Sequence, residues 1–392
     1  MFLNIFFRNM LWYFFLIQYF CLMMTMFSGI SNFLRRHRRK ILVAGGLVTA
    51  GIFLKRYATQ KFLEWEAKQT QLYLEQLKRH HHFEGTMQTC DSTALSLASK
   101  VREAVVRQLD VETLLMELKN NPPNKLSIWE EIKVLVFAHA IGEVVCECLL
   151  VVYLRVQLSI LGGYMYVDSQ KHKAAAAGNG LYLASTAVQQ KYLSQINHFF
   201  QVGQGRVLKT VMRTVEAVLG QVSLKSLLRL KDFEQELGSI KARLFASEIF
   251  QANFLTHCFL SEEVQGGGLA EKPSQSSDFV IHKMVQETKD VLESPDFEKV
   301  VVCCMDRGMA RILDMLSECY LYLHQDSNPA NSFSNPNNTA VALAKLLPTL
   351  RSCILRQNPA DLGSYMHQLL QLETLNNFSA NIYEAFSQPQ EV

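Results

Sequence analysis

The rhythm of apolar and polar positions changes twice along this chain. Residues 1 to 24 hold one charge, Arg8, among Phe, Leu, Ile, Trp and Met, a run long enough to cross a bilayer or to act as an uncleaved signal anchor. A second apolar run, 41 to 54, follows the basic cluster Arg35, Arg36, His37, Arg38, Arg39 and Lys40. As a helix its 14 residues rise only ~21 Å against a hydrocarbon core of ~30 Å, so a span must extend to about residue 58, with Lys55 and Arg56 snorkelling. Gly45, Gly46 and Gly51 suit a membrane helix better than a soluble one, where each costs roughly 1 kcal/mol against Ala. A buried core helix of the same length is the alternative reading of this run.

From residue 61 the pattern becomes amphipathic. Leu63, Ala67, Thr70, Leu74 and Leu77 recur at helical spacing, with Glu64, Glu66, Lys68, Glu75, Lys78 and Arg79 between them, which predicts a solvated helix leaving the membrane. Further helices are predicted over 92–119, 125–160, 186–222, 224–260, 278–294, 296–324, 339–357 and 361–386. Breaks are predicted at Pro122-Pro123, over 168–180, from Gly266-Gly267-Gly268 to 277, at Pro295 and over the Asn/Pro/Ser-rich run 326–338. Strand signals are scarce: the apolar runs 134–137 and 149–156 lie inside longer segments without turn residues. Val207, Val211, Val215, Val218 and Val222 keep a three-to-four spacing instead of alternating. The expected class is all-α, an N-terminal membrane anchor followed by one large elongated helical bundle.

Composition sharpens this picture. At 392 residues and 49% hydrophobic content the chain can bury a substantial core. The net charge of +3 is local: residues 1 to 40 carry six Lys/Arg and no acid, leaving 33 basic against 36 acidic residues afterwards. A nucleic-acid domain would spread its cations along a face, so the charge reads as the flank of a membrane segment, and no nucleic-acid partner is expected. Nine irregularly spaced cysteines fit a reducing compartment.

No enzyme class is nominated by motif. There is no Walker loop, nucleophile elbow or zinc-protease signature, and Gly203-Gln204-Gly205 lacks the third glycine and the preceding strand of a dinucleotide fingerprint. Cys146-Glu147-Cys148, Cys303-Cys304 and His80-His81-His82 lack zinc-site spacing, and Cys146 and Cys148 point about 200° apart on a helix. They read as buried thiols and a solvated histidine run, and His139 and His198 as core histidines. No metal and no cofactor are expected.

Two constellations remain. After Leu118 and the double proline, Lys125, Trp129, Ile132 and Lys133 fall at i, i+4, i+7 and i+8 on one helix face. Such a face is either core or an apolar anchor with a cationic rim, which would suit an amphipathic partner helix with acidic edges. The second is Gly162-Gly163, which reads as the end of an apolar helix and a structural corner, where left-handed backbone or close packing is needed.

At these residues the chain resembles the peroxin-3 family of animals. The resemblance rests on the segment from Asn32-Phe33-Leu34 through the basic cluster, on Asn124-Lys125-Leu126-Ser127-Ile128-Trp129-Glu130-Glu131, on Arg155 to Asp168, on Leu292-Glu293-Ser294-Pro295-Asp296-Phe297 and on Tyr383-Glu384-Ala385-Phe386-Ser387. It runs from about Met26 to the end; residues 1–25 are an apolar extension without a family counterpart. The resemblance implies a basic flank at 26–40, a peroxisomal membrane anchor at 41–58 in contact with lipid, and a cytosolic helical domain at 59–392. That domain would dock the N-terminal amphipathic helix of peroxisomal biogenesis factor 19, the soluble receptor for newly made membrane proteins, and promote their insertion. The implied groove uses Leu118, Lys125, Trp129, Ile132, Lys133, Met165 and Lys345, with Gly162 and Gly163 structural. Five basic residues before the span favour a cytosolic N-terminus, whereas the family places that end inside the organelle. A membrane-tethered helical scaffold of another organelle is the competing reading, and a membrane-bound enzyme with an unrecognised helical site is the third.

Overall fold

In the computed structural model the backbone is described for all residues except 1, 175–183, 262–275, 328–336, 338, 359–360, 362 and 389–392. Side chains are not described for most of 2–48, nor for 172–174, 276–277 and 324–327. The break expected at Gly266-Gly267-Gly268 and most of that expected over 326–338 lie outside the described residues.

The described backbone is helical almost throughout. Helix α1 (Phe2–Gln108) is followed by α2 (Val111–Lys119), α3 (Lys125–Ala174), α4 (Thr186–Leu193), α5 (Ile196–His198), a π-turn (Phe199–Gly203) and α6 (Gln204–Leu219). Then come strand β1 (Leu227–Leu228), α7 (Leu230–Ala246), a 3-10 turn (Glu248–Phe250), α8 (Ala252–Phe259), α9 (Ser276–Leu292) and α10 (Pro295–Ser327). Strand β2 (Val341–Ala342), α11 (Leu343–Arg356), α12 (Tyr365–Leu370) and α13 (Glu373–Ser387) complete the order. The segment expected as one helix over 186–222 is interrupted by the π-turn, and that over 224–260 is divided between α7 and α8.

The chain forms two units, 1–77 and 78–392. In the first, α1 leaves Val43, Leu47, Ile52, Phe53 and Leu54 exposed within the expected span, and Phe62, Trp65 and Tyr73 exposed beyond it. The second unit begins at Lys78, whereas the sequence places the start of the helical domain at residue 59. Within that unit α1 buries Cys90, Ala94, Ala98, Val101 and Val105 at three- and four-residue intervals, a narrow stripe of small side chains that admits close helix packing.

Helix α3 is the axis of this body, packing against α13, α6 and α10. Among the described residues it is the one helix long and apolar enough to cross a membrane, but 89% of that apolar window is buried inside the body. A helix apolar on every side requires neighbours on every side, and here helices supply them. Some of its buried polar groups are partnered: Arg155 lies 2.7 Å from Asp91 and donates to Met87 Sδ, and Gln157 Nε2 donates to the Tyr192 carbonyl at 2.7 Å, whereas Tyr153 Oη and Ser159 Oγ are buried without a hydrogen-bond partner among the described residues.

The glycine pair does not end this helix, which continues to Ala174. Close packing is instead the reason for glycine: a Cβ at Gly163 would lie 2.7 Å from Phe386 Cβ and 2.8 Å from its backbone carbon, and one at Gly162 would lie 2.9 Å from Thr86 Cγ2. Helix α1 therefore approaches α3 closely because position 162 lacks a side chain, and α13 because position 163 does. Pro295 starts α10 where its missing N–H costs nothing, and the Ser294 hydroxyl accepts from Phe297 N at 3.2 Å.

Candidate partner-docking site

One end of the body is assembled by short capping interactions. Asp110 caps α2 by accepting from Thr113 N at 3.2 Å and also accepts from the Thr113 hydroxyl; the hydroxyl bond first, and then the backbone one, hold its carboxyl below the usual range. The helix closes through Asn120 and through Asn121, whose φ of 60° makes it the one non-glycine residue with positive φ among those described. Asn121 N bonds the Leu118 carbonyl at 3.2 Å, and Pro122-Pro123 prevent continuation. Helix α3 restarts at Lys125.

The face read from the sequence as a surface divides within two turns. Lys125 and Leu126 are exposed and Trp129 is partly buried against the core, but Ile128 and Ile132 are inside it. Lys133 is fully buried, so it supplies no cationic rim. Its Nζ donates to the Val222 carbonyl at 2.7 Å, to the Gly220 carbonyl at 3.3 Å and to the Glu130 carboxylate. Lys133 thus closes the C-terminus of α6, where unpaired carbonyls concentrate negative potential.

The same turn holds α11. Leu343 N donates to the Ser226 carbonyl at 3.1 Å and Ala344 N to the Leu224 carbonyl at 2.9 Å, beside the antiparallel pairs Leu227 with Ala342 and Leu228 with Val341. Lys345, in the first turn of α11, is exposed. Arg351 of α11 in turn pairs with Glu112 of α2. Leu118, Lys125, Trp129 and Lys345 therefore stand on elements joined to one another at this end of the bundle.

Met165 is not among them. It is exposed on the same unbroken helix as Trp129 but 36 residues further along, roughly 54 Å at the rise of an α-helix. Exposed Leu126, Met116 and Leu227 were missed by sequence reasoning. Leu126 had a legible signal, an apolar residue one step off the Lys125–Trp129 face in the first turn of a helix whose neighbours end there. No group of three or more His, Cys, Asp or Glu that could hold a metal occurs among the described residues.

The arrangement defines an all-helical bundle with a half-buried indole and exposed ammonium groups at one end. The peroxin-3 family model matches residues 32–123 and 119–385. Peroxisomal biogenesis factor 3 of Bos taurus and of Homo sapiens are each 36% identical over 380 residues, covering 94% of this chain and the whole of theirs. Peroxisome biogenesis protein 3-2 of Arabidopsis thaliana is 26% identical over 295 residues, 69% of this chain and 78% of its own. The chain belongs to the peroxin-3 family, non-enzymatic factors of peroxisome biogenesis.

Proposed function

We propose that this protein is a peroxisomal membrane docking factor, anchored through residues 41–58 with its helical body in the cytosol. Its tip binds the N-terminal amphipathic helix of peroxisomal biogenesis factor 19 and receives membrane proteins for insertion. The observation that carries the reading is the tip itself: a partly buried Trp129 packed on the core, with Leu126 exposed beside it and Lys125 and Lys345 free to solvent. An indole already seated on one side loses little entropy on binding and offers its other side to an apolar helix face, while the ammonium groups attract acidic edges. Leu118, Lys125, Trp129 and Lys345 touch the partner in this reading. Ile132 and Lys133 hold them in place from beneath.

The test is fluorescence anisotropy with a labelled peptide of that receptor helix and the full chain in detergent. Trp129→Ala is expected to weaken binding by about 2 kcal/mol, or roughly 30-fold, without loss of helicity. Unchanged affinity in a folded Trp129→Ala protein would remove the tip from the reading.

A further inference from the structure

A second surface lies on the flank of the body, away from the tip. Helix α6 turns Val207, Leu208, Val211 and Val215 inward, with Leu208 packed at the level of Gly142 on α3. That is 13 residues beyond Trp129, about 20 Å along α3. The opposite face of α6 carries Arg206, Lys209 and Arg213 at i, i+3 and i+7, all exposed. They line one side of a cavity of about 470 Å³ whose other wall is the 3-10 turn and α8, with Phe254 and a single carboxylate, Glu248. None of the three cations is in an ion pair among the described residues. Three like charges are thus aligned over about 10 Å, opposed by Glu248 across the cavity and followed at the end of the row by the exposed Glu216, three residues beyond Arg213.

We propose that this groove docks an acidic, helical segment of a soluble protein partner. Carboxylates spaced at i, i+3 or i+4, and i+7 on such a segment would meet the three cations in register, and an apolar residue between them would sit on Phe254. A compact polyphosphate fits less well. The cations form a row on one helix face and remain solvent-exposed, whereas a small-ligand pocket buries its polar groups and gathers them around a point. The inference does not rest on the tip.

The experiment uses the full chain in detergent and a fluorescein-labelled helical peptide with Glu at i, i+4 and i+7 and Leu on the same face. The expected result is salt-sensitive binding that falls at least tenfold in Arg206→Glu/Arg213→Glu, is absent for the Gln version of the peptide, and persists in Trp129→Ala. Lys209→Glu, a single change at an exposed position, is expected to weaken binding as well and serves where the double variant is poorly folded. The proposal is overturned if charge reversal leaves the affinity unchanged, if Trp129→Ala abolishes it, or if inositol hexakisphosphate binds the groove and the peptide does not.

Discussion

Replacing Lys133 by Met tests whether the tip is built from beneath. The methionine fills nearly the same volume, so the perturbation is loss of the ammonium. Its hydrogen bond to the Val222 carbonyl is short at 2.7 Å and that to Gly220 is long at 3.3 Å, so one strong and one weak charge-assisted bond are lost, about 1.5–3 kcal/mol for the strong one. The Glu130 side chain is 38% exposed and can be rehydrated, so the ion pair itself contributes little. Relief from burying an ammonium offsets part of the loss. The net expectation is destabilisation of about 2 kcal/mol, concentrated in residues 220–226. Because Leu343 and Ala344 are hydrogen-bonded to that same turn, α11 and Lys345 loosen with it, and affinity for the receptor peptide falls although Lys133 touches no partner. Urea unfolding followed by circular dichroism measures the first effect, and amide exchange in 220–226 measures the second. Lys125→Met, at an exposed position, is the control and should change stability by less than about 0.5 kcal/mol. If Lys133→Met unfolds at the same urea concentration as the unmutated chain, with exchange in 220–226 unaltered, the role assigned to this lysine is wrong.

Other outcomes follow from the same packing. Gly163→Ala must displace backbone of α13 and should cost at least 2 kcal/mol, whereas Gly85→Ala, with open space around it, should stabilise by roughly 0.5–1 kcal/mol; thermal melts separate the two. Met165→Lys should leave affinity for the receptor peptide unchanged, and a loss would mean that the helix contacts both ends of α3. Burial pushes the Glu143 carboxyl up to about 7, against a lowering by Arg102, and holds the neighbouring His139 down to about 4. The folded state then keeps a proton on Glu143 that the unfolded state releases, so this group contributes stability that falls as pH rises from about 4.5 to 7. His139 works in the opposite sense, contributing stability that falls as pH drops from 6.5 toward 4. The two contributions oppose each other between about pH 4.5 and 6.5, so Glu143→Gln should unmask the rise of stability with pH that His139 produces, read as a steeper increase of melting temperature across that window.

Local chemistry alone makes this chain helical. Three-to-four spacing of Val207, Val211 and Val215, the stop at Pro122-Pro123, Pro295 at a helix start and the uninterrupted apolar stretch of α3 each act within one or two turns, and each is realised. The demand for glycine at 163 was legible as close packing or left-handed backbone, but choosing between them needed Phe386 of α13, more than two hundred residues away. Lys133 is the clearest failure. A lysine at i+8 from Lys125 reads as solvent-facing because charge avoids burial, and only the arrival of the 220–226 turn over it supplies the carbonyls that make burial tolerable. Arg206, Lys209 and Arg213 were in plain view between the valines, yet a nearly neutral body conceals a local row of charge. Distance along a helix is likewise invisible until its ends are known. Met165 and Trp129 lie in one sequence neighbourhood of family motifs, but the absence of a break at Gly162-Gly163 places them at opposite ends of one rod, because helical rise accumulates over every residue that a bend would have cancelled.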